Sequence, residues 1–457
     1  MRRSTVVSGR SGKNRNYRSR ALAAAGTAVA ALVAASCTAG STSDGPQPAP
    51  GPDQQVTITV SSQFTDRELD VLNRVLDGFH AKHPNITINS QGNQDDDKIT
   101  QAIRGGNPPD VAISAETINL GQFCSSGAWQ DLGPYLQRDQ VDLNQIPKVV
   151  QEYTQFQGKR CAMPLLADVY GMYYNADLFA KAGITAPPKT TSELTDLAKR
   201  LTEFNPDGSI KVAGFLPVLT SQANHPWNWA PHFGATWMDA QGKSVLGQDP
   251  AWQEMYRWQK ELVDFYGWDK LVQFTAGLGQ QYSADNAFQQ GKIAMMIDGE
   301  YRTGFIEDGA PNLRFGTAPF PVSDSKPELY GTGFVTGTII GIPRGAENAG
   351  AAWELVRYLT TDTTALVDLA NGLKNVPTTT AALHDPRLES SEQYKTFLDL
   401  FDNPQLVASP PSPNGSAYMK STEDFSVKWQ SGQVTDLGGA LRELDAQIDA
   451  AKALGGG

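Results

Sequence analysis

An apolar stretch interrupted by one carboxylate constrains this chain more than any other part of it. Residues 162–175 read AMPLLADVYGMYYN, an apolar strand in which Asp168 is the sole charge. A carboxylate on a buried strand needs a partner, because burying it alone is costly. The strand leads through Tyr173-Tyr174-Asn175 into a short helix that stops at Gly183, and a Pro-Pro turn then precedes a new cap at Thr191-Ser192. This punctuation predicts a strand followed by short helices, with an ionisable group held on the strand.

The N-terminus predicts export. Residues 1–20 hold seven Lys/Arg and no acid, residues 21–35 are apolar and Ala-rich, and Ser36-Cys37 follows. A basic region, a short apolar region and small residues before a cut site make a secretory signal, here residues 1–36. Fifteen apolar residues are short for a membrane span, which needs about 20. The segment before Cys37 resembles a bacterial lipobox, with Ala34 where Leu is usual, so Cys37 is the expected lipidation site; ordinary cleavage near Ala35 is the alternative. Residues 37–55 are rich in Gly, Ser, Thr, Pro and Gln and read as a flexible tether. The folded part then spans about 400 residues, too long for one core.

The chain has 38 basic and 49 acidic residues; without the seven leader cations the balance is 31 − 49 = −18. That excess argues against nucleic acid and against a polybasic membrane patch as partners. Cys124 and Cys161 remain once Cys37 is set aside. An even pair in an exported chain suggests a disulfide, with two buried free thiols as the alternative.

Along the mature chain, residues 56–60 alternate as Val-Thr-Ile-Thr-Val, a half-buried strand pattern. Thr65 and Glu68 have capping-box spacing, and Leu69, Leu72, Val75, Leu76 and Phe79 fall on one helical face. Pro84 ends that helix and Ile86-Thr87-Ile88 returns as a strand, a βαβ unit that predicts parallel pairing. A second helix closes at Gly105-Gly106, before a strand over residues 110–114. Asp95-Asp96-Asp97 lacks the glycine and closing Glu of a calcium loop and reads as a solvated turn.

These motifs, in this order, resemble the bacterial extracellular solute-binding proteins of the carbohydrate family that includes the maltose-binding proteins. The resemblance rests on Phe79-x-x-x-x-Pro84, Gly106-x-x-Pro109-Asp110-Val111 and Gly127-Ala128-Trp129-Gln130-Asp131-Leu132. It continues through the strand at 162–175, through AFQQGKIAMM at 287–296, read as helix–Gly–strand, and through Asp298-Gly299-Glu300-Tyr301. The resemblance implies a type II, two-lobed periplasmic-binding-protein fold. Each lobe would be a mainly parallel sheet flanked by helices, and three crossings, near 166–168, 331–334 and 373–378, would form a hinge. Lobe one would comprise residues 55–167 and 335–375, and lobe two residues 168–334 and 376–457.

A sugar site needs aromatic plates and groups that satisfy hydroxyls in a dry cleft. The resemblance aligns Asp168 with the crossover carboxylate, puts Trp227 near a ligand-facing aromatic position and sets Tyr301 in place of a stacking Trp. Glu300 beside it is an acceptor for hydroxyl protons. Trp229 belongs to the same aromatic cluster, His225-Pro226-Trp227-Asn228-Trp229. On lobe one, Ser114, Glu116 and Thr117 follow a strand's C-terminal end, the usual edge of a crevice. Gly333 in the second crossing completes the set; Gln63 and Asp96 are weaker members. Tyr170, Tyr173 and Trp353 are expected to pack, and Tyr418 either to pack or to line a rim.

No P-loop, G-x-S-x-G or H-E-x-x-H motif occurs, and neither metal nor cofactor is expected. The resemblance implies a monomeric lipoprotein on the outer face of the cell membrane, handing a disaccharide or oligosaccharide to an ABC permease. A secreted glycosidase using Asp168 and Glu300 is one alternative, and a sensor component of the same fold is another.

Overall fold

The computed structural model describes residues 45–283 and 285–455. The leader, Cys37 and the tether before Gly45 lie outside the described residues. From Gly45 on, the expected tether is held in place. The Gln47 N–H donates to Tyr135 Oη (3.2 Å), Arg138 donates to the Gln47 carbonyl (2.8 Å), and Asn85 donates to the Gly51 carbonyl (3.0 Å). Pro48 packs so closely on Gly350 that a Cβ there has no room. Polar composition marked this stretch as coreless, but its backbone groups find partners on the domain beside it.

The N-terminal unit forms as its pattern predicts. Strand β1 (Val56–Ser62) and helix α1 (Asp66–Lys82) lead to β2 (Ile86–Gln91), which pairs in parallel with β1 from Val56↔Ile86 to Ser61↔Gln91. Helix α1 buries Val71, Leu72, Val75, Leu76 and Phe79, each contributing about 1.5–3 kcal/mol. The capping box does not form. The Thr65 side chain caps nothing, and the half-buried Glu68 is near enough for its charge to raise Asp168. Helix α2 (Asp96–Arg104), capped by Asp95, precedes β3 (Val111–Ser114), a fully buried strand parallel to β1. Helix α3 (Leu120–Ser125) follows.

The long strand β4 (Met163–Asn175) leaves this half. Beyond it come β5 (Glu203–Phe204), β6 (Ile210–Phe215), β7 (Ile293–Gly299), β8 (Phe315–Ala318), β9 (Phe334–Gly341) and β10 (Val376–Pro377). The sheet runs β2-β1-β3-β9-β4-β7-β6-β5, with β8 and β10 also pairing with β4. Pairs β1/β2, β1/β3 and β6/β7 are parallel, whereas β4 and β9 run antiparallel to each other and to their other partners. The sheet is therefore mixed where the chain passes between its two α/β halves. The first half of β4 pairs with β10 at Ala167↔Val376, and the second half with β7 and β8.

One core surrounds α1, β1–β3 and the helix Ala349–Thr361, with Trp353 fully buried in it. Another surrounds Trp229, Trp252 and Tyr256 with the two C-terminal helices, Ala417–Gln430 and Leu437–Gly455. The helix expected before Gly291 is a run of turns closed by Lys292 N–H to the Ala287 carbonyl (2.9 Å). No helix among the described residues is long and apolar enough to cross a membrane.

Cys124, at the end of α3, is bridged to Cys161, just before β4, with Cα atoms 5.6 Å apart and a sequence separation of 37. Closing a loop of that length restricts the unfolded chain by about 4 kcal/mol in the chain-entropy model. The double variant Cys124→Ala/Cys161→Ala should lose about 2–4 kcal/mol of unfolding free energy in a urea titration. A loss below about 0.5 kcal/mol would show that the bridge adds nothing beyond packing.

Candidate functional site

The site is built where β4 and β9 pass between the halves. Successive strand residues face opposite sides, and on β4 the half-buried positions Asp168 and Tyr170 share a face while Val169 points into the core. Thr336 of β9, paired in register with Asp168, is on the same face. Together they floor a cavity of about 210 Å³. Gln63, Glu116 and Thr117 wall it at the ends of β1 and β3, and Trp227, Tyr282 and Tyr301 wall it from the other half. Two roomier grooves, of about 670 and 900 Å³, flank residues 404–408, but their acids Glu152, Asp402 and Asp239 are exposed.

Of the residues expected from sequence, Asp168, Glu116, Thr117, Trp227, Tyr301 and the weaker Gln63 come together around this cavity. Trp229 does not. On the short helix Pro226–Trp229, residues two apart project about 200° from one another, so only one of the two indoles faces inward. The Trp229 ring is fully buried edge-on to Phe215 and Phe320, with its N–H on Asn224 Oδ1 at 2.6 Å. Trp227 stacks on His225, centroids 4.4 Å apart and planes 6° apart, and both rings line the cavity.

Ser114, Asp96, Glu300 and Gly333 also stand behind the walls. Ser114 Oγ donates to Asp96 Oδ2 (2.9 Å) and accepts from the Glu116 N–H (3.1 Å), so it sets the loop that carries Glu116. Asp96 accepts a second bond from Asn119 (2.8 Å); it is no solvated turn. Gly333 packs beneath Leu406 and the Leu400 carbonyl, where a Cβ would collide. Glu300 is fully buried, accepting from the Val169 N–H at 2.5 Å and from Asn375 Nδ2 at 3.0 Å. Asn375 also donates to Asp168 Oδ1 at 2.5 Å.

Sequence reasoning passed over Asn375, Tyr282, Thr336 and Ser409, and read Tyr170 as packing. Tyr170 stands edge-on to Tyr301 at 6.5 Å, and Tyr282 meets Tyr301 at 5.9 Å. The period-two pattern of β4 was the available signal for Tyr170, since it falls on the same face as Asp168. Tyr173 and Tyr418 are buried packing residues, with hydroxyls on the Gly299 and Pro410 carbonyls.

Among the described residues, no Lys or Arg lines the cavity. Burial raises Asp168 to about 7, helped by the charge of Glu116 and opposed by the Asn375 bond. Glu116 keeps much of its surface accessible, yet its enclosure and the charge of Asp96 raise it, also to about 7. Burial and the neighbouring Asp168 hold Glu300 well above the usual carboxylate range. The site therefore offers carboxyl groups poised to donate or accept hydrogen bonds beside several aromatic faces. That chemistry suits a polyhydroxylated ring.

A model of the bacterial extracellular solute-binding proteins matches residues 65–365 of the chain. A protein of Brucella abortus named as a binding protein is 28% identical over 313 residues, 67% of this chain and 72% of that one. A maltooligosaccharide ABC transporter solute-binding lipoprotein of Streptococcus pneumoniae is 27% identical over 332 residues, 70% of each chain. Among solved structures, CpMnBP1 with mannobiose bound superposes with a TM-score of 0.76 at 25% identity, covering 86% of this chain and 99% of that one.

An acid raised by burial destabilises the fold when it ionises. Below about pH 4 Asp168 is protonated in both folded and unfolded states and contributes nothing. As pH rises the folded state holds the proton longer than the unfolded state, so stability falls until the folded group ionises near 7. Asp168→Asn should therefore melt above the unmodified protein at pH 8 and converge with it below pH 4. A constant difference across that range would contradict the assignment.

Proposed function

The chain belongs to the bacterial extracellular solute-binding proteins, a family of binding proteins with the two-lobed type II fold, and we propose that it captures a disaccharide or oligosaccharide in the cavity around Asp168 and delivers it unchanged to an ABC importer. One observation carries the reading: Asp168 and Glu116 line a single cavity together with Trp227, Tyr170, Tyr282 and Tyr301. Carboxyl groups take the ligand's hydroxyls and the rings take its apolar face. The sugars bound by the relatives point the same way. Against hydrolysis, Glu300 lies behind the cavity wall and shares the Asn375 amide with Asp168. It is not placed to flank a scissile bond as the second carboxylate must.

Capture works by closing the halves over the ligand. Strands β4, β9 and β10 are the three connections, and the boundaries follow them: residues 55–167 with 335–375, and 168–334 with 376–457. Ligand drives closure through the contacts it gains in the closed form. Here Glu116 and Thr117 from one side meet Asp168, Trp227 and Tyr301 from the other. Beside the cavity, Ser125 Oγ of α3 donates to the Pro413 carbonyl (3.1 Å), and Gly121 sits against Ser412 with no room for a Cβ. That contact belongs to the closed state.

Calorimetry against mannose- and glucose-based oligosaccharides tests the site. Trp227→Ala and Tyr301→Ala should each lower affinity about tenfold or more, since truncating a stacked anchor costs over about 1 kcal/mol. The sugar that binds should compact the small-angle scattering profile, and Gly121→Leu should keep it expanded. Undiminished affinity in both aromatic variants moves the site elsewhere; recovery of cleaved sugar supports a glycosidase.

We also place the mature N-terminus at Cys37, carrying lipid that holds the protein as a monomer on the outer membrane face, since paired acyl chains anchor stably where one is marginal. Mass spectrometry of the N-terminal peptide should find diacylglycerol on Cys37. An unmodified thiol there refutes the anchor.

A further inference from the structure

We propose that Asn375 is the positioning residue of the site: its amide fixes the Asp168 carboxylate against Glu300 at the cavity wall and so couples ligand capture to the third chain connection. The inference rests on the carbohydrate reading of the cavity and adds a residue outside its walls.

The geometry is built for this task. The helix Thr363–Leu373 ends at Lys374, whose φ of 59° is left-handed and turns the chain sharply before β10. A non-glycine residue in that region is held there by its surroundings. Lys374 N–H closes the helix on the Ala370 carbonyl (2.7 Å), and Lys374 Nζ pairs with Glu389 (2.6 Å). Arg67 of α1 donates to the Gly372 carbonyl (2.5 Å). The buried Tyr394 hydroxyl then donates to the Asn375 carbonyl at 2.7 Å. With its neighbour Lys374 and its own carbonyl held, Asn375 turns its amide to the site, and Nδ2 meets Asp168 Oδ1 and Glu300 Oε1 together.

Two carboxyl groups bonded to one amide nitrogen cannot both carry full charge cheaply in a buried site. Glu300, deeper and also bonded to the Val169 N–H, keeps the proton, which leaves Asp168 to ionise and accept from ligand. The acids acting on Asp168 are Glu116 after β3, Glu68 on α1 and Glu300 after β7. The phenols in its field are Tyr153, Tyr170, Tyr282 and Tyr301, all raised and neutral. Asn375 is the donor opposing them. Without it, Asp168 ionises later.

The test uses the full chain with Asn375→Leu, an apolar near-isostere, and Asn375→Asp, which keeps the shape and replaces the donor by an acid. In ligand-free protein labelled with 13C at the aspartate carboxyls, with Asp168 identified by the signal lost in Asp168→Asn, the Asp168 titration should move to higher pH in both variants. Sugar affinity of Asn375→Leu should fall about tenfold at pH 7 and return to within about threefold of the unmodified protein at pH 9. An unmoved titration, or an equal loss at both pH values, overturns the proposal. If the unmodified protein binds no sugar, the carbohydrate reading fails by itself, and the ligand-free titration still decides the role of Asn375.

Discussion

The antiparallel pairing of β4 with β9 is the contact on which everything else in this molecule rests. The strands are in register from Ala167↔Gly337 to Tyr170↔Phe334, and each also pairs with strands of one half. Because the two halves of the sheet meet through these strands, the cavity floor at their junction sits on ladder hydrogen bonds and not on free loops. Side-chain direction there follows from strand geometry alone: Asp168, Tyr170 and Thr336 share a face because of period and register. A binding site on such elements is held more tightly than one on surface loops, while the loop at Glu116 and the helix bearing Trp227 reach it from either side.

The electrostatics follow from that placement. A carboxylate on a nearly buried strand has few routes to stability, and here they are a single amide and a proton. Asp298, one strand position from the site, took another route: its carboxylate is fully buried against Arg302 at 2.7 Å. Two acids on neighbouring strands thus reach opposite solutions. The paired one is structural, because its charge is already met. The one left without a cation is open to an incoming ligand.

Much of this was legible in the residues. Asp168 stood out because a lone charge on an apolar strand needs a reason, and the helical face of α1 and the βαβ order followed from periodicity. The Cys pair followed from compartment. Side-chain direction on short or irregular segments was not legible. Trp227 and Trp229 are equivalent in composition, and only the pitch of a four-residue helix separates a cavity wall from a core residue. Asn375 carried no pattern of its own, since its role depends on a left-handed turn at Lys374 and on partners 75 and 207 residues away. Glu68 looked like part of a cap because local spacing fitted, but the Thr65 side chain makes no capping bond.

The β4–β9 ladder also bears on how the protein is made. Ala167 and its partner Gly337 are 170 residues apart in sequence, and the β10 segment that pairs with the same strand comes later still. A nascent chain emerging N-terminus first holds β4 with no central partner until β9 has been synthesised, and sheets closed by such distant pairings form slowly. The strand order that brings the cavity residues together thereby makes the cavity floor one of the last parts of the fold to form.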